Sequence, residues 1–128
     1  QAYGAEFTYD EMMIVGDEAQ AKAAAANPGL GQSGPAPGEG PTKEEREAGL
    51  YDVLVVALND DGRQARVSVK GDMDPGYGST SKMIAETAIC LVKDAADVPG
   101  GVWVPGAALG DRLIKRLQDN AGLTFTVE

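Results

Sequence analysis

From Ala5 to Tyr9, apolar side chains alternate with Glu6, Thr8 and Asp10, and the apolar run Met12-Met13-Ile14-Val15 follows. A period of two predicts a strand over 5–15, with one wet face at first and burial on both faces toward its end. The pattern then changes. Residues 17–26, DEAQAKAAAA, are strong helix formers behind an Asp17 N-cap, and Asn27-Pro28 ends the helix because the residue before proline disfavours the α region. From Asn27 to Pro41, nine of fifteen residues are glycine or proline, which predicts a flexible loop over 27–41. Its glycines follow no strand and lack the G-x-x-x-x-G-K-[ST] order, so a linker describes them better than a phosphate loop.

Thr42-Lys43-Glu44-Glu45 has the form of a capping box, opening a short helix that ends at Gly49 in a left-handed C′ position. YDVLVVAL at 51–58 is apolar and β-branched on both faces, the mark of a central or doubly covered strand. Asn59-Asp60-Asp61-Gly62 is turn chemistry. Beyond it, Ala65, Val67 and Val69 point inward, while Gln64, Arg66, Ser68 and Lys70 point to water, completing an antiparallel hairpin.

Ser79 to about Ala95 is the main helix, with Ser79, Thr80 and Ser81 as N-cap candidates and a narrow polar stripe of Lys82, Glu86 and Lys93. Met83, Ile84, Ala88, Leu91 and Val92 cover the rest, so the helix should pack on more than one side, with Cys90 as a small buried hydrophobe. Val102-Trp103-Val104 predicts a short strand with Trp103 as a core anchor. Residues 107–121 predict a second helix, apolar through Leu109, Leu113, Ile114 and Leu117, with Arg116 among its solvent-facing residues and Gly122 at C′. LTFTVE alternates as a final strand. These elements make an α+β fold, with a mostly antiparallel or mixed sheet and helices packed on one face. At 128 residues the chain is sized for a single domain, 1–128.

Charge and composition narrow the chemistry. The net charge of −9, with no basic run longer than two residues, repels nucleic-acid phosphates and anionic membrane surfaces, and no apolar run is long enough to span a membrane. With no histidine and one cysteine, Ser-His-Asp and Cys-His catalysis, a His-ligated zinc and an internal disulfide are all excluded for this sequence, and a reducing, cytoplasmic compartment fits. The start, Gln1-Ala2-Tyr3, reads as a piece of something longer. Chemistry concentrates in GDMDPGYGSTSK at 71–82, where a tight turn opens the main helix. Helix amides, the hydroxyls of Ser79, Thr80 and Ser81, and the Lys82 ammonium could gather around a carboxylate or phosphate, beside Asp72, Asp74 and Tyr77. The same residues also make a purely structural turn and cap.

Three stretches carry a family resemblance: PGEGPTKEEREAGLYDVLVVA, GDMDPGYGSTSKMIAETAICLV and GGVWVPGAALGDRLIKRLQDNAGLTFTV. Over about residues 37–128 they resemble the carboxy-terminal part of saccharopine dehydrogenase-like oxidoreductases, in the branch that includes trans-acting enoyl reductases. The resemblance implies a longer protein whose amino-terminal Rossmann domain binds NAD or NADP. This chain would be the second domain, covering the substrate and forming a homodimer, with no cofactor of its own and little activity alone. It also implies that Asp74, Tyr77, Thr80 and Lys82 face the cleft between domains as substrate-binding residues. Gly71-Asp72-Met73-Asp74-Pro75-Gly76-Tyr77 is two residues longer than the family's G-D-P-G-Y, which shifts the aspartate to compare. A stand-alone acidic oligomerisation or protein-interaction domain without catalysis is the alternative, since the sequence holds no histidine, cysteine pair or metal motif.

Overall fold

A computed structural model describes residues 8–12, 14–26 and 38–128. The chain divides into two compact units, Gln1–Gly40 and Pro41–Glu128.

In the first unit, helix α1 spans Glu18–Ala26, and the Asp17 carboxylate accepts from the Gln20 amide at 2.8 Å, the cap its sequence calls for. The strand expected over 5–15 falls partly outside the described residues. Residues 8–12, 14 and 15 form no strand, and Met12 and Ile14 are exposed rather than buried. Local bonds organise them instead, from Tyr9 Oη to Glu11 and from the Glu11 amide to Asp10. Of the loop expected over 27–41, residues 27–37 lie outside the described residues.

The second unit runs α2 (Lys43–Ala48), β1 (Tyr51–Leu58), β2 (Gln64–Gly71), α3 (Gly78–Lys93), α4 (Pro105–Leu109), α5 (Asp111–Asn120) and β3 (Leu123–Val127). This is the α+β architecture that the patterns imply, its sheet antiparallel throughout in the order β1-β2-β3. The capping box at Thr42 forms with both of its bonds. Gly49, however, is extended rather than left-handed (φ −70°). Its missing Cβ serves close approach: a side chain there would run into the backbone of Asp74, whose amide donates to the Arg46 carbonyl at 2.9 Å.

The core lies where α5 and α3 cover β3 and the adjoining part of β2. Cys90, Ala95, Leu109, Leu113, Leu117, Ala121 and Leu123 are buried, with Val69, Met83, Val98, Ala108 and Phe125 packed against them. The helix expected over 107–121 is two helices. Gly110, at φ 50°, breaks it, and Pro105 starts α4 earlier than periodicity suggests. Gly122 does adopt the left-handed C′ conformation, at φ 72°, and an added Cβ would collide with the Asp72 carboxylate. Gly122→Ala should therefore lower stability by about 1–2 kcal/mol, measured by urea unfolding. A neutral result would mean the Asp72 side chain moves aside freely.

Further expectations change in three dimensions. Among the described residues β1 is an edge strand, exposed along seven of its eight residues, rather than a covered one. α3, among the described residues, packs on one side only, leaving Ile84, Leu91 and Val92 exposed. Its polar position Glu86 instead turns inward, because Arg116 of α5, expected in solvent, bonds both Glu86 (3.0 Å) and Asp94 (2.5 Å). Residues 102–104 form no strand, and Trp103 is 52% exposed, its indole N–H donating to the Pro99 carbonyl at 3.0 Å. Ser68, expected in water, is buried beneath the Asp52–Lys70 ion pair and donates to Asp52 at 3.2 Å.

Candidate functional site

The turn between β2 and α3 is built around Asp74. Its Oδ1 accepts from the Gly76 amide at 2.9 Å, and its Oδ2 accepts from the Gly78 amide at 2.5 Å. The Tyr77 amide points between the two oxygens, at 3.2 and 3.3 Å. The Asp74 carbonyl also accepts from the Ser79 amide at 2.8 Å. One aspartate thus closes the chain reversal and caps the helix, the work that the sequence assigns to Ser79, Thr80 or Ser81. The Gly78 amide above all, with those of Tyr77 and Gly76 and the nearby Arg46 charge, holds the Asp74 carboxyl below the usual carboxylate range.

The hydroxyls are engaged elsewhere. Ser79 is fully buried, and its Oγ lies 2.8 Å from Tyr51 Oη, joining the start of β1 to the start of α3. Thr80 Oγ1 donates to the Pro75 carbonyl at 2.5 Å, and Ser81 Oγ donates to the Gly78 carbonyl at 2.9 Å. Lys82 Nζ stands 3.6 Å from Asp72 Oδ1. Asp74, Tyr77, Thr80 and Lys82 are thus brought to one segment, but in different conditions. Asp74 and Thr80 satisfy the turn itself, while Tyr77 is half exposed and hydrogen-bonds its neighbours through the backbone.

The Tyr51–Ser79 link was not anticipated. Its signal is the pairing of Tyr51 with Gly71 in the sheet register: a Cβ on Gly71 would occupy the space of the Tyr51 ring.

A separate open cavity of about 380 Å³ lies between α3, α4 and the connection joining them, bounded by Thr87, Leu91, Val98, Trp103, Ala108 and Leu109 among others. Its polar groups are already occupied: Thr87 donates to the Met83 carbonyl, and Trp103 to Pro99. The lining contains no titratable side chain, so the cavity offers apolar contact but no acid or base. Among the described residues there is no cluster of three or more metal-ligating side chains, and no helix long and apolar enough to cross a membrane.

Comparison with known proteins adds a different kind of observation. The chain is 31% identical, over 91% of its own length, to a Mycobacterium tuberculosis protein provisionally named a trans-acting enoyl reductase, and covers 33% of that protein. It is 30% identical, with the same coverage, to proteins of Mycobacterium ulcerans and Mycobacterium bovis named trans-acting enoyl reductase. The chain thus spans about a third of the length of the curated relatives it matches. No family model matches it. No solved structure matches it either.

Proposed function

We propose that this chain is the substrate-covering domain of a larger cytoplasmic NAD(P)-dependent oxidoreductase of the saccharopine dehydrogenase-like group, one that reduces an enoyl group and is inactive without its Rossmann domain. The observation carrying this reading is the similarity along 91% of the chain to a protein named for enoyl reduction and three times as long. The nucleotide, on this reading, is held outside this chain. The sequence's G-x-G-x-x-G order, Gly29 to Gly34, follows a helix-forming stretch and Asn27-Pro28 rather than a strand, so it lacks the strand–turn–helix setting that cradles a dinucleotide. The amides of Gly76, Tyr77 and Gly78 that lead into α3 are directed at a carboxylate that would repel a pyrophosphate. These residues do not fit the cofactor, so no hydride step is assigned to them. Their part is to bind and orient, with Asp74 and Thr80 fixing the turn while Tyr77 and Lys82 present a phenol and an ammonium to substrate.

NADPH fluorescence titration tests the reading. The 128-residue chain should leave the signal unchanged at about 100 μM, whereas the uninterrupted natural protein containing it should bind NADPH and oxidise it with a 2-enoyl thioester. Micromolar NADPH binding by the chain alone would overturn the division of labour. In the longer protein, Tyr77→Phe and Lys82→Met should each raise KM about 3- to 10-fold with Tm unchanged. A non-catalytic interaction domain is the second reading, favoured by the exposed apolar stripe of α3. It predicts that the longer protein too ignores nucleotide.

A further inference from the structure

Ser79 is as buried as any residue of the core, although it stands at the start of a helix. Among the described residues, Ser79 and Cys90 are the fully buried side chains of α3, about 16 Å apart along its axis. Cys90 lies in the core, Met83 touches that core and Glu86 meets Arg116, so the middle and far end of α3 are held by α5 and its neighbours. The start of α3 is held from the segment that joins α2 to β1. The Asp74 amide donates to the Arg46 carbonyl at 2.9 Å, Gly49 lies against the Asp74 backbone, and Tyr51 Oη and Ser79 Oγ share a hydrogen bond of 2.8 Å. The bonds that the Asp74 carboxylate accepts run within the turn, closing it without tying it to the sheet. Tyr51 supplies that tie. It pairs with Gly71, which pairs in turn with the buried Leu123, so its ring lies on the helix-covered face of the sheet. The ring fills the space that a side chain on Gly71 would take, and its hydroxyl reaches the first turn of α3. One residue thus touches both ends of the 71–79 turn.

We propose that Tyr51 is a positioning residue: with its ring on Gly71 and its hydroxyl on Ser79, it sets where the first turn of α3 stands and so places Tyr77 and Lys82. Tyr77 lies two residues before Ser79, and Lys82 is the neighbour of Ser79 one turn on, so a displacement of Ser79 carries both. The inference rests on the oxidoreductase reading for what Tyr77 and Lys82 bind, and on the Tyr51–Ser79 geometry for how they are held. A hydrogen bond that only added stability would, when lost, show in every element of the unit alike, since a small unit unfolds as a whole. A bond that places the turn is lost locally, because Met83, Glu86 and Cys90 keep their contacts when it breaks. An unpaired hydroxyl in a buried site is unfavourable, so removing either partner alone loosens the start of α3.

Amide exchange on the 128-residue chain separates these cases. Tyr51→Phe keeps the ring over Gly71 and removes the hydroxyl. It should speed exchange about 10-fold at Gly78, Ser79 and Ser81, whose amides bond within the turn and first helical turn, and leave Leu117 of α5 within about twofold. Ser79→Ala should give the same pattern, and the double variant should exchange no faster than either single one, because no hydroxyl is then left unpaired. Equal acceleration at Leu117, additive effects of the two substitutions, or unchanged exchange at Ser81 overturns the proposal. In the longer natural protein, Tyr51→Phe should raise KM for a 2-enoyl thioester about 3- to 10-fold with kcat within about twofold, and raise it no further once Tyr77→Phe and Lys82→Met are both present. A rise that persists in that background also overturns it, since Tyr51 would then act through other residues. A longer protein that neither binds nor oxidises NADPH defeats the oxidoreductase reading alone, and the exchange pattern then decides whether Tyr51 holds the turn.

Discussion

Leu117→Ala should lower the stability of the second unit by about 2–4 kcal/mol and its Tm by more than 10 °C, read by chemical and thermal unfolding. Of the seven buried core residues, three are small (Cys90, Ala95 and Ala121), so Leu109, Leu113, Leu117 and Leu123 supply most of the buried apolar volume. Leu117 sits on α5, which packs against both α3 and β3, so a cavity there loosens two interfaces together. A domain of this size holds only about 5–10 kcal/mol in all, and the variant would spend much of it. Ile114→Ala on the same helix, at a partly exposed position, should cost less than about 1.5 kcal/mol. Equal losses at the two positions would mean that α5 does not present the face described.

Asp74→Ala should produce the largest loss among the acidic residues, on the order of 5 °C or more in Tm, because three amides lose their acceptor and the turn into α3 loses its closure. The pH profile identifies the cause. A carboxyl held below its unfolded value contributes stability at pH above that unfolded value and loses it as pH falls through the folded one. Asp74 is lowered by its amides, Asp94 mainly by Arg116, Asp97 mainly by Arg112 and Asp52 mainly by Lys70. Unfolding at several pH values should therefore show a decline below about pH 4, with no histidine step near neutrality because the sequence has no histidine. Asp74→Ala should be less steep in acid than the parent. A parallel curve would mean that Asp74 acts through shape alone.

Elements ruled by local chemistry were readable in advance. The Asp17 and Thr42 caps, the 59–62 turn and the Gly122 stop follow from hydrogen bonds and dihedral preferences within a few residues. The faces of β2 and β3 followed in part: Val69, Leu123 and Phe125 pack with the core, but Ala65 and Val127 are exposed and Ser68 is buried. The tight turn into the main helix at 71–82 is legible in the sequence, but the division of labour inside it is not. Three consecutive hydroxyl residues suggest an N-cap, and only the fold reveals that Asp74 reaches the amides first while Ser79 is drawn to Tyr51, 28 positions away in sequence.

Coverage was the least legible property. An apolar strand such as YDVLVVAL states that both of its faces and its edge favour leaving water, not which chain supplies the cover. Periodicity likewise cannot say which side of a nearly all-apolar helix meets the sheet, and the Glu86–Arg116–Asp94 network set that rotation for α3.

The sequence by itself determined the Asp17 and Thr42 caps, the 51–70 hairpin with its turn, the Gly122 stop and which chemistries are closed to it, because those depend on neighbours within a turn or two and on composition. The tertiary structure alone decided that β1 stands at an edge among the described residues, that Glu86 faces inward while Leu91 faces out, and that Asp74 is committed to its own backbone. Each of these depends on contacts between residues far apart in the chain, and burial and hydrogen-bond competition are settled only when those residues meet.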